Sequence, residues 1–321
     1  MPEGIYINYN DGRPAMQITA GLRAPSFCAN FNQRCQSDKT LTINTPLTPG
    51  SQHVVIMTNP VEVLEVFDQT LVIPDPMYVT SVTRNGDGGV TLRGADGLGA
   101  YSGLPQWAGV IMELLPVGTR NEGLFVANST DFTAISNAAF LMTCQYSQYV
   151  WVNGSMPLPV GGVPFARWND PNVSVGFDGS NIIVRNAAYG GIDDVSASVG
   201  MELVIFNNTP PQPGDGITMT NSAGQVTFST VKKPFVFNGT VDLSAGWQNI
   251  GDSLIQLAYT GTLIENNGGY NHIRMNGIRM ADNVVGAARN RVVGNYSRQQ
   301  FQMPGRNVVI STPLIAIPNM Y

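Results

Sequence analysis

Few side chains in this 321-residue sequence stand at spacings that do chemistry. His53 and His272 could each serve as a base toward one of three thiols, Cys28, Cys35 and Cys144. Such a pair needs a turn that presents the nucleophile, and no flanking pattern here supplies one. Asp170, Asp178, Asp193 and Asp194 could offer oxygens to a calcium ion. Their spacing is not that of a calcium loop, and Asp beside Gly is what ordinary turns require. Sugar cleavage needs two carboxylates roughly 5–10 Å apart, and no Asp/Glu pair stands out. The Gly-rich run RNGDGGVTLRGADG lacks the Lys-Ser/Thr and the following helix of a phosphate loop. The expectation is a protein that is not an enzyme and carries no cofactor or metal.

Binding is better served than catalysis. The run QYSQYVWVNG places Tyr146, Tyr149 and Trp151 near a strand end, and Trp107, Trp168 and Trp247 stand beside turns. Exposed rings near loops can stack on sugars or anchor a protein partner. Tyr146, Tyr149, Trp151 and Trp168 are therefore the candidates for contact with a glycan or a protein partner, whereas Trp107 and Trp247 are expected in cores. Arg274, Arg279, Arg289, Arg291, Arg298 and Arg306 crowd the C-terminal part. They could grip an anionic polymer, pair with acidic surface on a neighbouring subunit, or stand singly in solvent. The subunit contact is preferred, because Arg forks suit interface carboxylates and the chain is otherwise acidic, with net charge −5.

That charge also disfavours nucleic acid, which demands a surplus of Lys and Arg. Lysine is confined to Lys39, Lys232 and Lys233, and charged residues make up only 12%. A surface poor in Lys and Glu resembles buried interface, a hint of an assembly subunit. The three cysteines are an odd number at no metal spacing, so free thiols are expected, although Cys28 and Cys35 could pair. The opening MPEGIYINYN has neither basic start nor apolar h-region, and no run reaches the ~18 apolar residues of a membrane span. A cytoplasmic origin and no membrane span follow as expectations.

The elements that must position these residues are strands. With 35 Gly and 21 Pro, turns are many, and three-and-four apolar spacing is scarce. GITMTNSAGQVTFST from Gly216 alternates apolar and polar residues around a reversal at Asn221–Gly224, a hairpin pattern. GLFVANSTDFTAISN from Gly123 fits it without a gap, and GIYINYNDGRPAMQIT from Gly4 shares its design. NVSVGFDGSNIIVRN and YVTSVTRNGDGGVTLRG read as further hairpins, each followed by an apolar run, GMELVIFNN and WAGVIMELLP. The last reads as a strand buried on both faces or a single helical turn. The fold class expected is all-β, in tandem antiparallel β-sandwich domains of immunoglobulin-like size with a β-rich C-terminal segment. The expected units are residues 1–76 (anchoring), 77–165 and 166–248 (a duplication of about 90 residues), and 249–321. ADNVVGAARNRVVG is open between helix and strand, and the apolar C-terminus is docked in its own sheet or paired with a neighbour.

The hairpin signature in GITMTNSAGQVTFST and GIYINYNDGRPAMQIT resembles a unit of tail-tip and tail-fibre-associated proteins of long-tailed bacteriophages, most closely over GIYINYNDGRPAMQITAGLRAPSFC. The resemblance covers about 25 residues at each site. It implies a non-enzymatic virion structural protein, a tail-tip or tail-fibre adaptor subunit assembled in the host cytoplasm with other phage tail proteins, as a homo-oligomeric trimer or ring. It transfers no catalytic residue. Alternative expectations are a receptor-binding protein touching a host cell-surface receptor, and a polysaccharide-degrading tail enzyme.

Overall fold

The computed structural model describes residues 4–8, 15–19, 24–68, 71–96, 103–116, 123–124, 135–136, 141–220 and 223–321. Among them there is no α-helix, and the chain is an all-β tandem of sandwiches. The three predicted hairpins each form an antiparallel ribbon: β1 (Gly4–Ile7) with β2 (Met16–Thr19), β10 (Gly123–Leu124) with β11 (Ile135–Ser136), and β18 (Thr218–Thr220) with β19 (Val226–Ser229). Gly224 takes φ +77° in the third turn, the conformation the reading required of it. Parts of all three reversals, at 9–14, 125–134 and 221–222, lie outside the described residues.

Each ribbon introduces one copy of the same strand order. The first copy continues with β3 (Ser26–Arg34), β4 (Thr40–Asn44), β5 (Gln52–Asn59), β6 (Val61–Asp68), β7 (Leu71–Arg84), β8 (Gly89–Asp96) and β9 (Gln106–Leu114). The second has β12 (Thr143–Asn153), β13 (Ser155–Pro157), β14 (Val163–Arg167), β15 (Asp170–Phe177), β16 (Asn181–Asn186) and β17 (Ser198–Asn207). The third has β20 (Gly239–Val241), a 3-10 turn at Leu243–Ala245, β21 (Gln248–Asn249), β22 (Ser253–Gln256), β23 (Gly261–Asn267), β24 (Tyr270–Ala281), β25 (Val284–Ser297), β26 (Arg306–Val309) and β27 (Leu314–Pro318).

In every copy the first, third and last strands make one antiparallel sheet with the last strand central: β3-β9-β5, β12-β17-β14 and β20-β27-β22. The second strand pairs with a later hairpin to start the facing sheet: β4-β8-β7, β13-β16-β15 and β21-β25-β24. Copy one carries one extra strand, β6 beside β7, and copy three carries two, β23 beside β24 and β26 beside β23. The expected unit boundaries therefore fall inside elements: 76/77 cuts β7, 165/166 cuts β14 and 248/249 cuts β21. The hairpins at Gly123 and Gly216 open copies, as the one at Gly4 does, instead of lying within them. The stretch left open, 281–294, is mostly β25, and the apolar C-terminus docks as β27 between β20 and β22.

Two pairings fuse copies two and three. β14 runs against β22 (Phe165↔Gln256, Ala166↔Ile255), giving the six-stranded sheet β12-β17-β14-β22-β27-β20, and β15 runs against β24. Between these merged sheets lies one core containing Trp168, Phe177, Met201, Ile255 and Ile278. Copy one has its own core around Phe31, Leu92, Trp107 and Ile111. A third core joins everything: Ile56 and Met112 of copy one meet Phe165 and Phe206 of copy two and Phe235, Leu254 and Ile317 of copy three. This explains why the last strands read as unbroken apolar runs. Val110, Met112 and Leu114 face the shared core while Ile111 faces the copy's own, and Val204 and Phe206 alternate with Leu203 and Ile205 in the same way.

Consecutive copies also touch at corresponding places. Ser26 of copy one bridges Leu141 of copy two, and Thr143 of copy two bridges Pro234 of copy three. Copy one is further clamped to copy three by Gln256, whose amide donates to Met57 O (2.7 Å) and accepts from Ile315 N (3.2 Å), and by Tyr296, whose hydroxyl donates to Glu65 (2.9 Å). Buried polar groups paired across copies fix one relative placement, because leaving any of them unpaired costs about 1–3 kcal/mol.

Candidate functional site

The six-stranded sheet is wider than the copy-one sheet that covers it. Among the described residues its edge strand β12 is paired along its length with β17 alone, apart from the Thr143–Pro234 bridge at its start. Tyr146, Val150 and Val152 of β12 pack toward the inter-sheet core, so Tyr149 and Trp151 point the other way. Among the described residues no apolar layer meets them there, and they are 69% and 68% exposed.

Across the strand, Tyr149 registers with Glu202 and Trp151 with Gly200. A Cβ at Gly200 would collide with Tyr149 Oη and stand 2.9 Å from Trp151 Cε3, so both rings lie down over this glycine. One strand further on, Arg167 registers with Glu202. Its guanidinium meets Asp252 at 2.6 Å and donates to Asn283 Oδ1 at 2.9 Å. Asn169 and the β24–β25 turn bond reciprocally: Asn169 Nδ2 donates to Asp282 Oδ1 (3.1 Å) and Asp282 N donates to Asn169 Oδ1 (2.9 Å). Asp282 sits at φ +53°, a left-handed turn position that Asp tolerates. Asp170 accepts from Asn172 N at 2.9 Å, and Ser198 donates to Asn153 at 2.7 Å. The two rings, Gly200, Glu202, Arg167, Asn169, Asp170 and Asp282 are among the residues that line an open groove of about 590 Å³. An aromatic floor with a fixed polar rim suits binding.

Of the four aromatic candidates, the groove gathers Tyr149, Trp151 and Trp168. Trp168 is 3% exposed and belongs to the core beneath, its indole N–H buried without a partner. Tyr146 lies on the opposite face of β12, where its hydroxyl donates to Gln148. Trp107 is fully buried, as expected, but Trp247 is 46% exposed: it stands just past the 3-10 turn and stacks on the Arg279 guanidinium at 4.1 Å instead of filling a core.

The arginines are largely occupied within the chain. Arg274 is 1% exposed; it pairs with Glu265 at 3.1 Å and donates to the carbonyls of Gly191, Ile192 and Asp193. Arg289 shares Glu265 at 3.1 Å, and Arg291 reaches Asp178 at 3.5 Å. Arg306 stands close enough to the Tyr78 hydroxyl to act on it electrostatically, and the Nε of Arg298 is buried. The Arg274 side chain is thus spent within the chain, on Glu265 and on the loop that carries Gly191, Ile192 and Asp193.

The other titratable candidates are also taken up by the fold. His272 lies between Asn295 Oδ1 (2.5 Å) and Asn267 O (3.2 Å). Burial, and secondarily Arg84, holds the pKa of His53 below the usual imidazole range. All three cysteines are free. Burial pushes the Cys28 thiol up to about 12, helped by Glu113, and that of Cys144 up to about 11. Asp178 caps its turn by accepting from Ser180 N and Asn181 N, and Asp194 accepts from Arg185 and Val292 N. Among the described residues no three His, Cys, Asp or Glu side chains converge as a metal site, and no helix is long and apolar enough to cross a membrane.

Sequence reasoning missed Gly200, Glu202, Arg167, Asn169 and Asp282. A signal existed for two of them: Gly200 and Glu202 are the interruptions in the otherwise apolar run GMELVIF, and they mark where one face of a doubly buried strand comes into the open.

No curated protein and no solved structure matches the chain. The model of a family of unknown function, DUF6453, matches residues 4–298. That span runs from the first hairpin through most of the third copy, so the chain belongs to the DUF6453 family.

Proposed function

We propose that the chain is a non-enzymatic structural subunit of a long-tailed bacteriophage virion, placed at the tail tip or where a fibre joins it. The observation that carries this reading is the shared core: three sandwiches joined through Phe165, Phe206, Phe235 and Ile317 make one stiff body in place of a string of mobile domains. A tail part must transmit position between neighbours, and a stiff body with several open sheet edges suits that work. Among the described residues strands β6, β12, β20 and β26 are such edges, where a neighbouring chain could add a strand. The hairpin resemblance supports the same assignment. Self-association as a trimer or ring, and assembly with other tail proteins, belong to this reading.

Co-expression with the genes that flank it tests the proposal. The chain should co-purify with tail proteins and sediment with tail particles. A chain that stays monomeric by light scattering and binds no tail protein would refute it.

A further inference from the structure

We propose that the groove over β12 and β17 binds a neutral oligosaccharide, with Trp151 and Tyr149 as a stacking floor and Glu202, Asn169 and Asp170 as partners for sugar hydroxyls. The inference goes beyond the structural role above and stands without it.

The floor is the first argument. A pyranose ring has a face of C–H groups and a rim of hydroxyls, so it suits an aromatic face bordered by hydrogen-bonding groups. Tyr149 and Trp151 are two residues apart on one strand, about 7 Å between Cα atoms. Both rings lie over Gly200, so they form a strip, which fits a chain of sugars better than a single ring. The rim is built in advance by the reciprocal Asn169–Asp282 bonds and the Arg167 contacts to Asp252 and Asn283. Little ordering remains to oppose binding.

Charge narrows the ligand. Glu202, Asp170 and Asp282 line the groove, and the one cation among its described lining residues, Arg167, is already paired with Asp252. Uronates, sialates and phosphates meet like charge there, whereas neutral sugars do not. The same rim argues against a protein partner. Protein hot spots seat aromatics among apolar, fully desolvated neighbours, but here carboxylates and amides border the rings in a concave site of small-molecule size.

The test titrates maltoheptaose, cellohexaose and chitohexaose, one at a time, into the full chain by calorimetry and indole fluorescence. At least one should bind with a Kd below about 5 mM, and Trp151→Ala should weaken it about tenfold or more, the equivalent of one stacking contact. Trp247→Ala, at the exposed indole outside the groove, should leave the affinity unchanged. Polygalacturonate should bind more weakly than the neutral chain. Absence of binding by all three sugars up to about 10 mM would overturn the proposal. So would unchanged affinity in Trp151→Ala, or equal binding of polygalacturonate. Capture of a protein through Trp151 that none of the sugars displaces would also overturn it and assign the face to a protein interface.

Discussion

Phe206→Ala tests whether the three copies stand or fall together. Phe206 is fully buried on β17, facing the core common to all copies. Its ring meets Phe165 at 5.7 Å, Phe235 at 5.2 Å and Tyr321 at 4.9 Å, each nearly edge-to-face. Removing a buried Phe costs about 3–5 kcal/mol through lost transfer energy and the cavity left behind. Three edge-to-face pairs, each worth about 0.5–1.5 kcal/mol beyond area, place this site toward the upper end of that range. The loss is a large share of the ~5–15 kcal/mol that holds a typical domain folded. At about 2 °C per kcal/mol for a chain of this size, the melting temperature should fall by about 6–10 °C. Differential scanning calorimetry reads both the temperature and the number of transitions. Because Phe206 belongs to copy two but packs on copy three and beside Ile56 and Met112 of copy one, the whole endotherm should move as one peak. Phe67→Ala, at a ring 74% exposed on β6, should shift it by less than about 1–2 °C. A variant in which only part of the endotherm moves, with copy one melting at the wild-type temperature, would refute the shared-core reasoning.

Three further outcomes follow from the same physics. Arg274→Met removes a buried cation from Glu265 and three loop carbonyls, so it should cost about 3–5 kcal/mol and speed amide exchange at 187–197; unchanged exchange there would show that the staple is dispensable. His53 is held below its ordinary pKa, so the unfolded chain binds more protons in the window beneath about pH 6.5. The stability that neutral His53 contributes is present above that window and lost as pH falls through it. His53→Gln should flatten the decline of melting temperature between about pH 5 and 6.5, and an unaltered slope would contradict the assignment. Finally, with the Cys28 and Cys144 thiols raised to about 12 and about 11 by burial, native protein at about pH 8 should react with a disulfide reagent far more slowly than unfolded protein, whereas complete labelling within minutes would contradict it.

Local order was readable in the sequence, and long-range order was not. The strands declared themselves through alternation and through Gly and Asn at reversals, as at Gly224 and in the Gly268–Gly269 turn. The repeated hairpin was visible because its spacing survives in all three copies. Its place at the head of each copy was hidden, because the pairings that define a copy, such as β3 with β9 or β20 with β27, join residues far apart in sequence. Extra strands β6, β23 and β26 interrupt the match further. Trp151 was recognisable as a ring near a strand end, but its exposure depends on where the copy-one sheet stops covering the six-stranded one. Arg274 looked like surface because its partners, Glu265 and a loop about 80 residues earlier, are brought in only by folding. Glu113 shows the same limit: in an apolar run like that of Glu202, it is buried, accepting from Thr48 N (2.7 Å), Thr48 Oγ1 (2.9 Å) and Ser51 Oγ (2.6 Å). Identical local patterns thus yield a buried anchor in one copy and an open groove wall in another.

The most direct test of the virion assignment is quantitative mass spectrometry of purified tails made with and without this gene. The account predicts peptides of the chain in the particle at a fixed ratio to the other tail proteins, and tails that fail to complete when the gene is deleted. Complete, infectious particles that contain none of the chain would contradict it.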